Sequence, residues 1–213
     1  GSAPGIAAAP DADHLALLRS LLAAGLPAVL DAGALRLLPL SAAEGFAARA
    51  PLVLTPHPGE FEALSGQPAA EVLADPAPAL LEVARRFGAV VVLKAAVTWI
   101  AAPDGRLSVR DGLDPSLACA GSGDVLAGTI AGILAGEAAR ASRRPAHTGD
   151  RVPPRAPDPA PTAAAGLETA FRAAGAAVLA HSLAGQRARG RRGWYEAGAL
   201  VDEIARVLEE AAR

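Results

Sequence analysis

Apolar residues at helical spacing first appear at Leu15, Leu18 and Leu22, predicting a helix from Asp11 to Ala24. Asp11 or Asp13 would cap it, and Gly25 and Pro27 end it. The period then changes. Ala28-Val29-Leu30-Asp31 and Leu52-Val53-Leu54-Thr55 are short apolar runs, read as buried strands. Ala89-Val90-Val91-Val92-Leu93 is apolar throughout, as a strand covered on both faces must be. Helical segments are expected between them, a short one from Glu60 through Leu64 and another from Leu80 to Phe87, stopped by Gly88. Thr98 to Val109 reads as a hairpin around the turn Pro103-Asp104-Gly105. A helix from Gly121 to Gly136 carries Val125, Ile130, Ile133 and Leu134 on its apolar side, with Gly128 and Gly132 suited to close packing. Leu167 to Arg189 and Ala199 to Ala212 complete the set, the last with Leu200, Ile204, Val207 and Leu208 facing inward. Helices alternating with apolar strands predict an α/β fold with a mainly parallel sheet.

The pattern fails once. Between Glu137 and Ala165 there is no apolar period, and Pro145, Pro153, Pro154, Pro157, Pro159 and Pro161 lie among basic and polar residues. Residues 137–166 are expected to be a flexible Pro/Arg-rich insertion with solvated arginines. The remainder of the 213 residues is enough for one core, so residues 1–213 are read as a single domain.

Composition changes this picture little. The chain is 52% hydrophobic but only 3% aromatic, and its net charge of −2 gives no reason to expect nucleic acid or an anionic membrane. No apolar run reaches the roughly 18 residues that would read as a membrane span. The opening Gly1-Ser2-Ala3-Pro4-Gly5 lacks the basic segment of a secretory signal. One cysteine, Cys119, cannot build an internal disulfide and fits a reducing, cytoplasmic setting. The absence of methionine reads as a processed or trimmed chain.

Chemistry concentrates at three places. Ala120-Gly121-Ser122-Gly123-Asp124-Val125-Leu126-Ala127-Gly128 runs from small residues into a helix. Exposed amides and the positive end of the helix dipole there suit an anion, most often a phosphate. Asp124, in the first turn, could take the proton of a hydroxyl that attacks a phosphoryl group; it could equally be a capping residue. His57, between Pro56 and Pro58 at a strand end, is either held toward a ligand or simply a surface residue. Lys94 closes the most apolar strand, which requires a charge partner, an anionic ligand or an escape to the surface. Asp31, also at a strand end, either lines the same region or caps the next turn.

Thr55-Pro56-His57-Pro58-Gly59-Glu60-Phe61, Val92-Leu93-Lys94-Ala95-Ala96-Val97-Thr98 and Gly121-Ser122-Gly123-Asp124-Val125-Leu126-Ala127-Gly128, in that order, closely resemble the ATP- or ADP-dependent NAD(P)H-hydrate dehydratases. That family is a branch of the ribokinase-like superfamily. Val29-Leu30-Asp31-Ala32-Gly33-Ala34-Leu35 and Ala180-His181-Ser182-Leu183-Ala184-Gly185 resemble two further family segments, D-A-D-A-L and A-H-G-x-A-G. The resemblance implies a ribokinase-like three-layer sandwich, with helices on both faces of the sheet. It implies a lyase acting on NADHX and NADPHX, with ADP or ATP as phosphoryl donor and Mg2+ accompanying the nucleotide. Asp124 would be the catalytic base and a substrate contact, beside His57 and Gly5. Lys94, Ala95, Ala96, Val97 and Thr98, with Gly121, Ser122 and Gly123, would hold the nucleotide and the moving phosphoryl group. A homo-oligomer is expected.

Departures from the family pattern are visible. Ala95 replaces the glycine of K-G-A-x-T, Gly33 replaces the second aspartate of D-A-D-A-L, and Ala3-Pro4-Gly5-Ile6-Ala7 only loosely matches G-P-G-L-G. The family's preceding strands and helices have no counterpart, so an exposed sheet edge and exposed apolar helix faces are expected. A small-molecule kinase of the same superfamily and a non-catalytic nucleotide-binding remnant remain the alternative readings.

Overall fold

The computed structural model describes residues 12–43, 45, 48–112, 115–142 and 163–212. Gly5 and Asp11, named above, lie outside these residues. The described chain runs α1 (Ala12–Ala23), β1 (Ala28–Leu30), α2 (Gly33–Ala43), β2 (Leu52–Leu54), α3 (Pro58–Ser65), α4 (Ala69–Ala74), α5 (Pro76–Phe87) and β3 (Val90–Leu93). It continues with β4 (Val97–Ala101), β5 (Leu107–Asp111), a one-turn 3-10 helix (Pro115–Ala118), α6 (Ser122–Ser142), α7 (Ala163–Arg192) and α8 (Gly198–Ala211).

The five strands lie in the order β1-β2-β3-β4-β5. β1, β2 and β3 are parallel, in register Leu30↔Leu54 and Leu54↔Val91. β3, β4 and β5 are antiparallel. This gives the expected three layers, because the strands bury both faces. Leu52, Leu54, Val91 and Leu93 pack with apolar residues of α1 to α5, including Leu18, Leu35, Phe61, Val72 and Leu80. The alternate residues Val53, Val90 and Val92 pack with Leu126, Ile130 and Leu134 of α6 and Ala170, Ala173, Ala174 and Ala177 of α7. The period-two pleat makes this division. Each fully buried Leu or Val stabilises the fold by about 1.5–3 kcal/mol.

Several boundaries differ from the sequence reading. α3 begins at Pro58 and α5 at Pro76, not at Glu60 and Leu80, because proline is well suited to the first turn, where its missing N–H has no acceptor to lose. α6 continues through Ser142, and α7 already covers 163–166, so both ends of the expected 137–166 insertion are helical. Residues 143–162 lie outside the described residues.

The glycines of α6 correct another expectation. A Cβ built at Gly128 or Gly132 would meet nothing within 4 Å, so neither permits a close approach. The close approaches are elsewhere. A Cβ at Gly166 would lie 2.6 Å from Pro51 Cγ, and one at Gly185 2.7 Å from Leu117 Cδ2. Gly128→Ala is therefore expected to raise stability by up to about 1 kcal/mol through helix propensity. Gly185→Ala is expected to lower it by about 1–3 kcal/mol through overpacking. Urea unfolding of the two variants measures both.

Among the described residues β1 pairs only with β2 and forms an open edge of the sheet. Leu17 and Leu21 of α1, and Leu26 after it, are 57%, 55% and 68% exposed. Among the described residues, then, β1 is an edge strand and α1 carries exposed leucines.

Candidate active site

The parallel strands β1, β2 and β3 end on one side of the sheet, where α/β folds gather ligands. Asp31 follows β1, Thr55-Pro56-His57 follows β2 and Lys94 follows β3. Backbone hydrogen bonds carry the pairing beyond the strands. Thr55 N donates to Leu30 O at 3.1 Å, and Lys94 N donates to Pro56 O at 2.8 Å. Three segments separated in sequence are thus fixed side by side.

Lys94 is neither free nor turned to the surface. Its Nζ donates to Asp31 Oδ1 at 2.6 Å, with the two side chains 19% and 15% exposed. The sequence left Asp31 open between lining this region and capping the next turn. Its carboxylate takes the first role, while its backbone carbonyl accepts from Ala34 N at 3.2 Å to start α2. The same pair meets the start of α6. A Cβ built at Gly123 would stand 3.2 Å from Lys94 Nζ and 3.9 Å from Asp31 Oδ2. Glycine at 123 is what lets the ammonium lie against the helix backbone.

Glycine shapes that helix start. Gly121 has φ +85°, a left-handed conformation that L side chains rarely adopt. Ser122 N donates back to Cys119 O at 3.2 Å, and the first α-helical bond runs from Val125 N to Gly121 O at 3.1 Å. The amides of Gly123 and Asp124 lie in the first turn, where a helix supplies no acceptor. A lysine ammonium beside the positive end of a helix is unfavourable by itself, and Asp31 offsets it. An anion placed there would meet the ammonium and the first-turn amides together. Asp124, on the same turn, is exposed.

His57 serves its own helix as well. It is the N-cap of α3, its Nδ1 accepting from Gly59 N at 3.0 Å and Glu60 N at 3.3 Å. Glu60, 8% exposed, returns the contact by accepting from His57 N at 2.9 Å. This capping box gives Glu60 a structural task. With Nδ1 acting as acceptor, the neutral ring carries its proton on Nε2, which lies 3.4 Å from Glu60 Oε1. The His57 side chain is 57% exposed, so that proton can be offered to a ligand.

Ala95 and Ala96 form the bend after Lys94, and Val97 and Thr98 open β4 opposite Asp111 and Arg110 of β5. They continue directly from Lys94, whose ammonium lies against the α6 turn.

His181 of α7 lies in a segment that the sequence marks as family-like but to which it assigns no role. It is 7% exposed, and its Nε2 lies 3.0 Å from Ser122 O and 3.2 Å from Ser122 Oγ. Its neighbour Ser182 accepts from Arg110 Nε at 3.3 Å, so α7 holds both the α6 turn and the hairpin. Burial pushes the His181 imidazole below its ordinary value of 6.5; the bond to Ser122 opposes this, and the nearby Lys94 charge adds to it. The folded state therefore keeps the ring neutral while the unfolded chain takes up a proton below about pH 6.5. His181 is expected to cost stability as pH falls below that value. Thermal midpoints measured between pH 7.5 and 5 should fall on acidification, and His181→Gln should flatten that slope.

The model of the NAD(P)H-hydrate dehydratase family matches residues 3–206. The chain belongs to that family. An ADP-dependent (S)-NAD(P)H-hydrate dehydratase from Neisseria meningitidis is 45% identical over 106 residues, covering 49% of this chain and 36% of the relative. A dehydratase from Bacillus subtilis, co-crystallised with ATP/Mg2+, superposes with a TM-score of 0.60 at 28% identity, covering 89% of this chain and 57% of that one. A ribokinase-like superfamily protein from Enterococcus faecalis, at 23% identity and TM-score 0.64, covers 98% of this chain and 62% of that one. The NAD(P)H-hydrate dehydratase family fold is thus ribokinase-like here too, and the chain spans less than two thirds of the length of each of these relatives.

Proposed function

We propose that this chain carries the phosphoryl-transfer site of an ADP- or ATP-dependent NAD(P)H-hydrate dehydratase, restoring NADH and NADPH from NADHX and NADPHX. One observation carries the reading beyond family membership. The Lys94 ammonium lies against Gly123, in the first turn of α6 and beside Asp124.

Chemistry assigns the roles. The hydrated nicotinamide ring bears a hydroxyl on a saturated carbon, and hydroxide leaves poorly. Asp124 takes the hydroxyl proton as the ring oxygen attacks the terminal phosphoryl group of the nucleotide. The bond from that phosphorus to the nucleotide's bridging oxygen breaks, and the nucleotide leaves with the electron pair. The sequence motif offers the amides of Gly121, Ser122 and Gly123; the Ser122 amide is taken by Cys119 O, so the amides of Gly121 and Gly123 and the Lys94 ammonium stabilise charge that develops on the moving group. The ring C–O bond then breaks with phosphate as leaving group. A proton lost from the adjacent ring carbon restores the double bond.

His57 offers its Nε2 proton to the hydrated ring, and the segment from Lys94 through Ala95, Ala96 and Val97 to Thr98 holds the nucleotide. Gly5 is proposed as a further substrate contact. Among the described residues no group of three His, Cys, Asp or Glu side chains is placed to hold a metal. Mg2+ is accordingly proposed to arrive on the nucleotide phosphates, where it supplies charge neutralisation. The described helices include none long and apolar enough to cross a membrane. A homo-oligomer is part of the proposal.

The test is direct. Incubation with ADP or ATP, Mg2+ and NADHX should return the absorbance of the reduced nicotinamide, with one phosphate released per ring restored. A flat trace with ATP consumed against a vitamin-like alcohol would favour the kinase reading. Failure to bind ADP at millimolar concentration would favour a non-catalytic remnant.

A further inference from the structure

We propose that His181 is a positioning residue for phosphoryl transfer, acting through the Ser122 carbonyl to fix the amide turn at the start of α6. The inference rests on the phosphoryl-transfer reading above and assigns a task to a residue that touches neither substrate nor nucleotide.

The turn at Gly121 to Asp124 has to be held from outside. Its residues are small, Gly121 is in the left-handed region, and its first amides lack helical acceptors. On the sheet side it meets Lys94 and Asp31. On the other side the polar contact is His181, whose Nε2 donates to Ser122 O at 3.0 Å with Ser122 Oγ at 3.2 Å. The ring is itself immobilised in α7, whose next residue, Ser182, is tied to Arg110. A bond to the carbonyl of residue 122 fixes the peptide plane joining 122 to 123, and with it the direction of the Gly123 N–H. Glycines flank Ser122, so the His181 bond reinforces the helical bond that this carbonyl accepts within α6 and resists rotation of the plane.

Around this bond the packing is apolar or small. A Cβ at Gly121 would stand 3.1 Å from Ala197 Cβ, and Leu117, Cys119, Val125 and Tyr195 pack against the cluster of Ala184, Leu200 and Ile204. Tyr195 OH lies 3.0 Å from Ser116 Oγ, securing the 3-10 helix that leads into the turn. These contacts set where the turn lies, and His181 sets how its amides are aimed. Amides that stabilise a transferring phosphoryl group act only when aimed at the position it occupies in the transition state. The role is therefore expected in turnover and not in nucleotide affinity.

The test compares His181→Leu, which removes the donor, with His181→Gln, whose side-chain amide can donate from a similar position. Two readouts are taken on folded protein: steady-state turnover of NADHX, and affinity for AMP and for ADP, the nucleotides left by ADP and by ATP, with and without aluminium fluoride, which mimics the moving phosphoryl group. His181→Leu is expected to lower kcat, and affinity in the presence of aluminium fluoride, by about tenfold or more. The KM for nucleotide and the affinity for ADP alone should stay within about threefold, and His181→Gln should recover most of the loss. Equal loss in the Leu and Gln variants with both folded, or equal weakening of ADP with and without fluoride, overturns the positioning role. So does wild-type turnover in His181→Leu, which leaves the dehydratase reading standing. If wild-type protein shows the fluoride effect and its dependence on His181 but leaves NADHX unchanged, the substrate reading fails and the positioning role stands. If fluoride adds nothing to the affinity of the wild type for either AMP or ADP, both fall.

Discussion

Asp124→Asn is expected to reduce NADHX turnover by about 10²–10⁴-fold while leaving the KM for ADP or ATP within a few-fold of wild type. The magnitude is that of removing a positioned general base. Asparagine keeps the shape of the side chain and can accept a hydrogen bond at the helix start, so the fold of α6 is preserved. What it cannot do is carry away the hydroxyl proton. Nucleotide affinity is expected to hold or improve slightly, because a negative charge beside bound phosphate is removed. Initial rates at saturating NADHX, with calorimetry for ADP, measure the two effects separately. Wild-type kcat in this variant would end the role given to Asp124.

Lys94→Met carries the second large effect, and it acts on stability and function together. Removing the ammonium leaves Asp31, 15% exposed, without the partner 2.6 Å away. A mostly buried carboxylate left alone costs more than the pair was worth. The expected loss of stability is about 1–3 kcal/mol, below that of a fully buried pair because some solvent reaches both groups. Turnover is expected to fall by about 100-fold, since an ammonium facing the phosphoryl group is lost with it. The double variant Asp31→Asn with Lys94→Met separates the two. It should recover most of the stability, by removing the stranded charge, and none of the turnover. Urea unfolding and initial rates on the four proteins of the cycle decide this. Recovery of turnover in the double variant would show that Lys94 acts only by neutralising Asp31.

The pair also explains a constraint at Gly123 that a motif alone would state without a reason. A side chain at 123 would begin 3.2 Å from the ammonium, tighter than ordinary contact, so the ammonium would have to shift by a few tenths of an ångström. The three motif segments meet because β1, β2 and β3 are parallel and share one carboxyl end, with Lys94 N bonded to Pro56 O.

Much of this was legible in the chain itself. Continuous apolar runs marked β1, β2 and β3, because a strand buried on both faces has no polar alternation to disguise it. The hairpin followed from Pro103-Asp104-Gly105, and the resemblance of the three motifs pointed to the family that residues 3–206 match. Asp124, His57 and Lys94 were each marked by local features: a helix start, a proline bracket and a charge closing an apolar strand. The helix starts at Pro58 and Pro76 lie ahead of the apolar positions that mark α3 and α5 in the sequence, since proline serves there as a first residue.

Only the tertiary structure decided what each charge faces. That Lys94 pairs with Asp31, 63 positions away, depends on which strands are neighbours, and no local pattern encodes that distance. His181 sits in an Ala- and Gly-rich helix whose period says only that it packs. Its bond to Ser122 exists because α7 crosses the start of α6 on the far face of the sheet. The tightest glycines are 166 and 185, while 128 and 132 face open space, because close approach is a property of two surfaces and a sequence pattern describes one.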